Sequence, residues 1–240
     1  MRVSGLREKI AGVAIPDSGP ARAATDLIRG TTPPPIFHHS RRVYLFGSLQ
    51  AAARGLRPGP ELLHGAAMFH DTGLVAPYRG DGQRFETDGA DRARAFLLAH
   101  GLSEGDAEKV WTAVALHTTP GVPHKLAPEI AATTAGVETD VLGLHLARLT
   151  RTQIDEVTAA HPRPDFKRRI LQAFADGFRH RPDSTFGTVN ADVLKHFVPG
   201  FRRIDFVDVI RNSAWPEQAR HRRWPPPILQ AMHFCIACKT

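Results

Sequence analysis

Apolar residues recur at helical spacing directly after an early proline run. Downstream of residues 33–35, His39, Val43, Phe46 and Gln50 follow the i, i+4, i+7 spacing of one helical face. Because proline cannot occupy a helix interior, this pattern predicts a helix that begins near residue 37. The pattern therefore predicts that His39 lies on the inward-facing side of this helix.

Two further predicted helices carry histidines on their apolar faces. In the helix predicted over residues 61–69, Ala67 and His70 share one face, and Asp71 follows immediately. A later helix places His117 on its apolar side. The pattern thus brings several polar side chains toward one interior.

A downstream carboxylate is predicted to lie at the start of another helix. Asp140 precedes an apolar segment over residues 141–150, which predicts a helix with Asp140 near its positive N-terminal end. Helical spacing continues beyond it, with Phe166, Ile170 and Phe174 on one face.

No alternation of apolar and polar residues persists long enough to predict a stable strand. The fold class is therefore predicted to be all-α, a helical bundle. Three regions are expected: an N-terminal arm over residues 1–35, one principal helical domain over residues 36–215, and a C-terminal tail over residues 216–240.

Composition narrows the setting of this bundle. The net charge of +7 would suit an acidic partner, but arginines are spread along the whole chain, so nucleic acid is not expected. No apolar run is long enough for a secretory signal or a membrane span. Cys235 and Cys238 are the only cysteines, so no disulfide framework is expected and a reducing cytoplasm is the default location.

The order of the polar motifs resembles a known superfamily. His39-Ser40-Arg41-Arg42, the adjacent pair His70-Asp71, and Thr139-Asp140 stand in the order His, His-Asp, Asp that is typical of the HD superfamily. Phe69-His70-Asp71-Thr72-Gly73-Leu74, Arg84-Phe85-Glu86-Thr87-Asp88-Gly89-Ala90 and Ala115-Leu116-His117-Thr118-Thr119-Pro120 are similar to its cyanamide-hydratase-like branch. The resemblance covers residues 36–180 and implies an HD-domain helical bundle with a metal site at its centre.

The resemblance also implies a set of site residues. One divalent ion, zinc or iron with manganese as a further possibility, would be held by His39, His70, Asp71 and Asp140. Asp71 or His117 would move the proton during catalysis, or His117 would hydrogen-bond the bound water or the substrate. The alternative for His117 is a core histidine at a helix terminus. A mononuclear site is expected because the additional paired histidines of dinuclear relatives do not occur between Asp71 and Asp140.

Several neighbouring polar residues compete for roles. His38 is an alternative to His39, but helical periodicity favours His39, because adjacent residues point about 100° apart. His64 could support the site or be a partly exposed helix histidine, and Glu86 could act in acid-base chemistry or near a ligand. Asp88 is expected to cap a helix.

The sequence is compatible with three functions. A metal-dependent hydrolase or hydratase would direct activated water at a small molecule, with a cyanamide-like or nitrile-like compound implied by the narrower resemblance. An HD-type phosphohydrolase would need cations around the substrate, for which five are available: Arg41, Arg42, Arg79, Arg84 and Lys125. A non-catalytic metal-binding regulatory protein is the third, and homo-oligomerisation is possible in each case.

Overall fold

The computed structural model describes residues 8–80 and 82–215. Within them the fold is a helical bundle with one short antiparallel hairpin, in which β1 (Lys9–Ile10) pairs with β2 (Val13–Ala14). The helices are α1 (Gly19–Thr31), α2 (Pro34–Ala53), α3 (Pro60–Phe69), α4 (Phe85–Ala99), α5 (Glu104–Leu116), α6 (Pro128–Val137), α7 (Arg151–Ala160), α8 (Phe166–Phe178), α9 (Asn190–Phe197) and α10 (Phe206–Arg211). The predicted all-α fold class is confirmed.

The core has two large apolar clusters that meet at α3. One cluster lies between α1, α3, α4 and α5 and contains Phe69 and Val114. The other lies between α2, α3, α6, α7 and the hairpin and contains Val43 and Phe46. Helix α3 is therefore packed on two sides, which fixes the position of the His70-Asp71 pair at its C-terminal end.

Helices α2 and α6 approach each other unusually closely. A Cβ atom on Gly136 would lie 2.2 Å from the carbonyl oxygen of Val43, and one on Gly47 would lie 2.6 Å from that of Ala132. Real Cβ atoms do not occupy such positions, so glycine is required at this crossing. The contact places the C-terminal end of α6 against the middle of α2.

Helix α2 begins earlier than its sequence pattern predicts. Pro34 and Pro35 occupy its first turn instead of preceding it. Proline is tolerated there because the first helical amides have no intrahelical acceptor. The segment predicted as an arm contains the hairpin and α1, and Ala24 and Ile28 of α1 are buried in the core. The boundary between arm and domain remains a prediction.

The helix predicted over residues 141–150 is wrong. Instead, α6 continues into a π-helical turn over Glu138–Leu142 that contains Asp140, and the chain then turns at Gly143, whose φ is 72°. The next helix, α7, begins only at Arg151, where Thr150 forms a capping box with Gln153. Asp140 therefore lies at the end of one helix rather than at the start of another. π-helical turns of this kind are frequent at functional sites.

Two sequence predictions concern the chain terminus and membranes. The predicted tail, with Cys235 and Cys238, lies outside the described residues. Among the described residues, no helix combines the length and apolarity that a membrane crossing requires.

Candidate metal centre

Three polar side chains from α2 and the end of α3 meet in the interior. His39 lies in α2, His70 directly follows the last residue of α3, and Asp71 comes next. The Asp71 Oδ2 atom lies 3.5 Å from His39 Nε2 and 3.3 Å from His70 Nε2. One ligand atom from each of the three residues lies within 4.8 Å of the others, a spacing that one metal ion could bridge.

His117 approaches the same carboxylate from the other side. It follows the last residue of α5, and its Nε2 atom lies 3.6 Å from Asp71 Oδ1. The rings of His70 and His117 meet edge to face at 5.0 Å. Asp71 is thus surrounded by three imidazoles, with His39 and His70 near one oxygen and His117 near the other.

The orientation of each imidazole is fixed by its second nitrogen. Nδ1 of His70 lies 2.8 Å from the carbonyl oxygen of Ala67, and Nδ1 of His117 lies 2.6 Å from that of Val114. A carbonyl oxygen can only accept, so both Nδ1 atoms must carry the proton. When the rings are neutral, both Nε2 atoms therefore present lone pairs toward Asp71, as metal-ligating histidines do.

Unpaired polar atoms indicate that a group is needed at the centre. His70 Nε2, Asp71 Oδ2 and His117 Nε2 are buried without a hydrogen-bond partner among the described residues. Such atoms are costly unless a ligand or ion satisfies them. Imidazole nitrogens and a carboxylate oxygen are the ligands that zinc and non-haem iron accept. These residues therefore fit a divalent metal ion.

The charges of the cluster agree with this assignment. Burial lowers the pKa of His39, so its imidazole is neutral and available as a ligand. Although burial opposes ionisation, the neighbouring His70 holds the pKa of Asp71 well below its usual range, and Asp71 in turn raises that of His70 against the effect of burial. The metal-free pair therefore retains a proton that a bound cation would displace.

Asp140, the fourth residue of the predicted ligand set, lies behind His39. Its Oδ2 atom is 2.6 Å from His39 Nδ1, at the ring edge that faces away from Asp71. Arg42 donates to both oxygens of the same carboxylate, from Nε at 2.8 Å and from Nη2 at 2.9 Å. The structure thus brings Asp140 next to the cluster through His39, and its role as a direct ligand remains a prediction.

Two other histidines lie apart from the cluster. His38 Nδ1 is 3.3 Å from His161 Nδ1, so His39 rather than His38 faces Asp71. His64 is fully buried on another face of α3, where its Nε2 atom lies 3.2 Å from both Thr25 Oγ1 and Arg41 Nη1. A supporting contact of His64 with the centre is not present in this arrangement.

Glu86 is fully buried in the first turn of α4. Its Oε1 atom accepts hydrogen bonds from Thr118, which follows His117, and from Asn190 at 3.0 Å. Burial opposes its ionisation, but Arg84 holds the pKa of Glu86 below its ordinary value. Glu86 thus connects α4 and α9 to the segment beside His117, and it forms no hydrogen bond with Asp71.

The predicted capping role of Asp88 is wrong. Arg84 occupies the N-cap position of α4, and Asp88 lies within the first turn. Its carboxylate is buried and pairs with Arg181, and it also accepts from the amide of Gly80 at 2.9 Å and from Gln83 at 2.7 Å. Asp88 therefore anchors the loop between α3 and α4.

Aromatic rings from α4 and α8 border the histidines. Phe166 lies 5.2 Å from the His39 ring, and Phe85 lies 5.4 Å from the His117 ring. Phe174 lies 5.8 Å from Phe85 and packs in the same apolar region as Phe166. The only sequence signal for these aromatic residues is the helical spacing of Phe166, Ile170 and Phe174, which is equally typical of any core helix.

These features define a class of protein, a helical domain with a buried metal-binding centre of histidine and carboxylate. The chain belongs to the HD domain family, whose model matches residues 36–156. HD domains bind divalent metals, and their superfamily consists generally of metal-dependent hydrolases. No match was found among curated proteins.

Proposed function

We propose that this protein is a metal-dependent hydrolase or hydratase that acts on a small, uncharged molecule, with a cyanamide-like or nitrile-like compound as the favoured substrate. The observation that carries the proposal is the set of unpaired polar atoms on His70, Asp71 and His117. These atoms border one interior region that an ion and a reacting water could occupy. The proposed ligands are His39, His70 and Asp71, with Asp140 as the fourth residue of the family pattern.

The surroundings of the centre support a small substrate. His39, His70, Asp71 and His117 are each no more than 3% exposed. Phe166 and Phe85 border the two ends of the cluster. A closed, partly aromatic site of this kind favours a small substrate and offers no solvation to a highly charged group.

The available cations also disfavour a phosphoester. Arg42 is bound to Asp140, Arg84 to Glu86, and Arg79 donates to the carbonyl oxygen of Asp176. Arg41 donates to His64, away from the cluster, and Lys125 is exposed in the turn before α6. Within the described part of the chain, none of these five cations forms a hydrogen bond or ion pair with His70, Asp71 or His117, so phosphate oxygens would lack the charged donors that usually hold them.

The chemistry that we propose requires an activated water and a proton path. When bound, a divalent ion with open coordination positions lowers the pKa of water to about 7 and so supplies a nucleophile at neutral pH. In hydration of a nitrile, the water oxygen forms a bond to the nitrile carbon, one carbon–nitrogen π bond opens, and the nitrogen takes up a proton. A further proton shift from oxygen to nitrogen then gives the amide, which for cyanamide is urea.

His117 and Asp71 are suited to move this proton. His117 Nε2 is unpaired and lies 3.6 Å from Asp71 Oδ1, so the two atoms face the same space. The Nδ1 contact with Val114 keeps the His117 lone pair directed there. His117 can accept a proton from the water and return it to the substrate nitrogen, while Asp71 stabilises the charged imidazole.

The test is a parallel assay of the full chain loaded with zinc, iron or manganese. Cyanamide, nucleotides and generic phosphoesters are supplied separately, and urea and inorganic phosphate are measured. Urea formation that is lost in His70→Ala supports the proposal. Phosphate release would replace it with a phosphohydrolase, and metal binding without turnover of any substrate would favour a regulatory protein.

A further inference from the structure

Ring contacts extend from the three histidines of the cluster to phenylalanines beside them. The centroids of the His39 and His70 rings lie 4.9 Å apart, and those of His70 and His117 lie 5.0 Å apart. On the far side, His117 contacts Phe85 at 5.4 Å, and Phe85 contacts Phe174 at 5.8 Å. Such separations are typical of aromatic rings in direct contact.

Phe166 completes a closed series of contacts. Its ring lies 5.2 Å from that of His39, and Phe174 packs against the buried apolar cluster that contains Phe166. Three imidazoles and three phenyl rings therefore border the interior next to Asp71. We call this set the ring cage, and its members are His39, His70, His117, Phe85, Phe174 and Phe166.

The two halves of the ring cage differ in chemistry. The imidazole half lies around the carboxylate of Asp71, and the Nε2 atoms of His70 and His117 are unpaired there. The phenyl half presents only carbon, which favours apolar groups over water. The part of a substrate that extends away from the imidazole half would therefore meet phenyl rings.

One of the three phenyl rings differs from the other two in its burial. Phe85 is completely buried, and Phe166 lies between the guanidinium groups of Arg42 and Arg163, each 4.7 Å from its centroid. Phe174 is only half-buried. Among the phenyl rings of the cage, Phe174 is thus the one that borders both solvent and the interior.

Helix α8 completes the phenyl half from outside the family-matched segment. The HD family model ends at residue 156, whereas α8 spans Phe166–Phe178 and supplies two of the three phenyl rings. The imidazole half and Phe85 come from the matched segment. The side of the cage that would meet the variable part of a substrate is therefore built largely by a helix that does not carry the metal motifs.

We infer that Phe174 is a specificity-determining residue of the metal centre: its ring closes the phenyl half of the ring cage and limits substrates to compounds with only a short group beside the reacting atoms. The inference rests on the metal centre of the proposed function and deepens it. Its physical basis is that an apolar wall separates groups that differ by one methylene by about 10- to 200-fold. A whole phenyl ring is a larger obstacle than one methylene.

Azole binding to the Co²⁺-loaded full chain measures this size limit without turnover. Imidazole and benzimidazole are titrated separately, and the visible spectrum of the ion reports when an azole nitrogen binds it. We expect the wild type to bind benzimidazole more weakly than imidazole. Phe174→Ala should lower the ratio of the two dissociation constants by about 10-fold or more. It should still bind one Co²⁺ per chain, with the wild-type spectrum when no azole is present.

A second variant and a matched control accompany this titration. Phe174→Leu keeps an apolar side chain in α8, and its ratio should lie between those of the wild type and Phe174→Ala. It decides the question if Phe174→Ala does not fold. Phe197→Ala makes the same substitution at an exposed phenylalanine of α9, outside the ring cage, and should keep the wild-type ratio.

The outcomes separate this inference from the proposed function. An unchanged ratio in the folded Phe174 variants would overturn the inference, and so would an equal change in Phe197→Ala. Absence of Co²⁺ binding in the wild type would overturn the inference together with the metal centre. A lowered ratio in Phe174→Ala without urea formation from cyanamide would support the inference and contradict only the hydratase activity.

Discussion

Helix α3 and the position directly after its last residue carry two completely buried histidines with opposite surroundings. His70 faces the carboxylate of Asp71, whereas Nε2 of His64 accepts a hydrogen bond from the guanidinium of Arg41 and lies 3.2 Å from the hydroxyl oxygen of Thr25. Each has one ring nitrogen without a partner among the described residues, Nε2 in His70 and Nδ1 in His64. Burial and an unpaired nitrogen are therefore common to both.

The sign of the neighbouring charge distinguishes the two positions. Asp71 raises the pKa of His70 against the effect of burial, and its negative charge would attract a cation. At His64, burial and then Arg41 lower the pKa to about 3, so the ring stays neutral beside a fixed positive charge. A divalent ion would be repelled there, so a metal site needs the carboxylate as much as the imidazoles.

The largest contrast should come from removing each histidine in turn. His70→Ala is expected to reduce bound metal from about one ion per chain to almost none and to abolish metal-dependent activity, because it deletes a ligand. His64→Gln should retain the full amount of metal. Elemental analysis after dialysis against trace zinc measures both. Equal metal loss in the two variants would show that burial on α3, not ligation, is what matters.

A smaller effect is expected at the third imidazole beside Asp71. His117→Gln should keep the bound metal but lower kcat by about 10²- to 10⁴-fold, the usual contribution of a positioned acid-base group. The measurement is kcat for cyanamide hydration together with metal content. Loss of metal in this variant would instead identify His117 as a ligand, and unchanged kcat would remove it from the proton path.

Much of this centre follows from local sequence patterns. The helical spacing that includes Val43 and Phe46 predicts the inward direction of His39, and the family order of motifs places the His70-Asp71 pair beside it. These predictions succeed because one helical face decides which residues enter the core. The family match to residues 36–156 supports the same superfamily.

The surroundings of Asp140 could not be predicted in this way. Its π-helical turn depends on Gly136, which lets α6 touch α2, and on a clamp by Arg42 from a different helix. Arginine on a ligand-bearing helix usually forms a surface ion pair, so the spacing of Arg42 alone gave no sign of its complete burial. Contacts between residues about a hundred positions apart in the sequence depend on tertiary packing and not on the helical periodicity of either segment.

A substitution at the contact between α2 and α6 should disturb the surroundings of Asp140 and His39 without changing either residue. Gly136→Ala should destabilise the protein by about 1–3 kcal/mol, because its Cβ atom would collide with the carbonyl oxygen of Val43 in the helix that carries His39. Metal affinity should fall with it, since the Asp140–His39 contact depends on this crossing. Denaturant unfolding measures the free energy change.

Gly105→Ala is the control for that substitution. Gly105 lies in the first turn of α5, and nothing would meet its Cβ atom within 4 Å. Replacement by alanine should stabilise the protein by about 0.4–1 kcal/mol through the unfolded state. Destabilisation of similar size in both variants would contradict a steric origin at the α2–α6 crossing.

The smallest expected effect concerns acid stability, and it arises at His64 rather than at the metal centre. The pKa of His64 is about 3 in the folded protein and 6.5 in the unfolded chain. The unfolded chain therefore takes up the proton first as the pH falls. The stability contributed by neutral His64 is complete above pH 6.5 and is lost between pH 6.5 and about 3. Between pH 7 and 5.5 this loss amounts to about 1 kcal/mol.

His64→Gln should remove that part of the pH dependence while keeping an acceptor for Arg41, and His180→Gln, at an exposed histidine, should leave the dependence unchanged. The measurement is the free energy of unfolding of the metal-free protein at pH 7 and 5.5. The pKa of His161 is also lowered to about 3, chiefly by burial, so the wild type and both variants share a loss of stability at low pH that arises from His161. Only the difference in pH dependence between the proteins reports on His64. Equal slopes for His64→Gln and His180→Gln would show that His64 can be protonated in place, and the contrast between the two buried histidines of α3 would then fail.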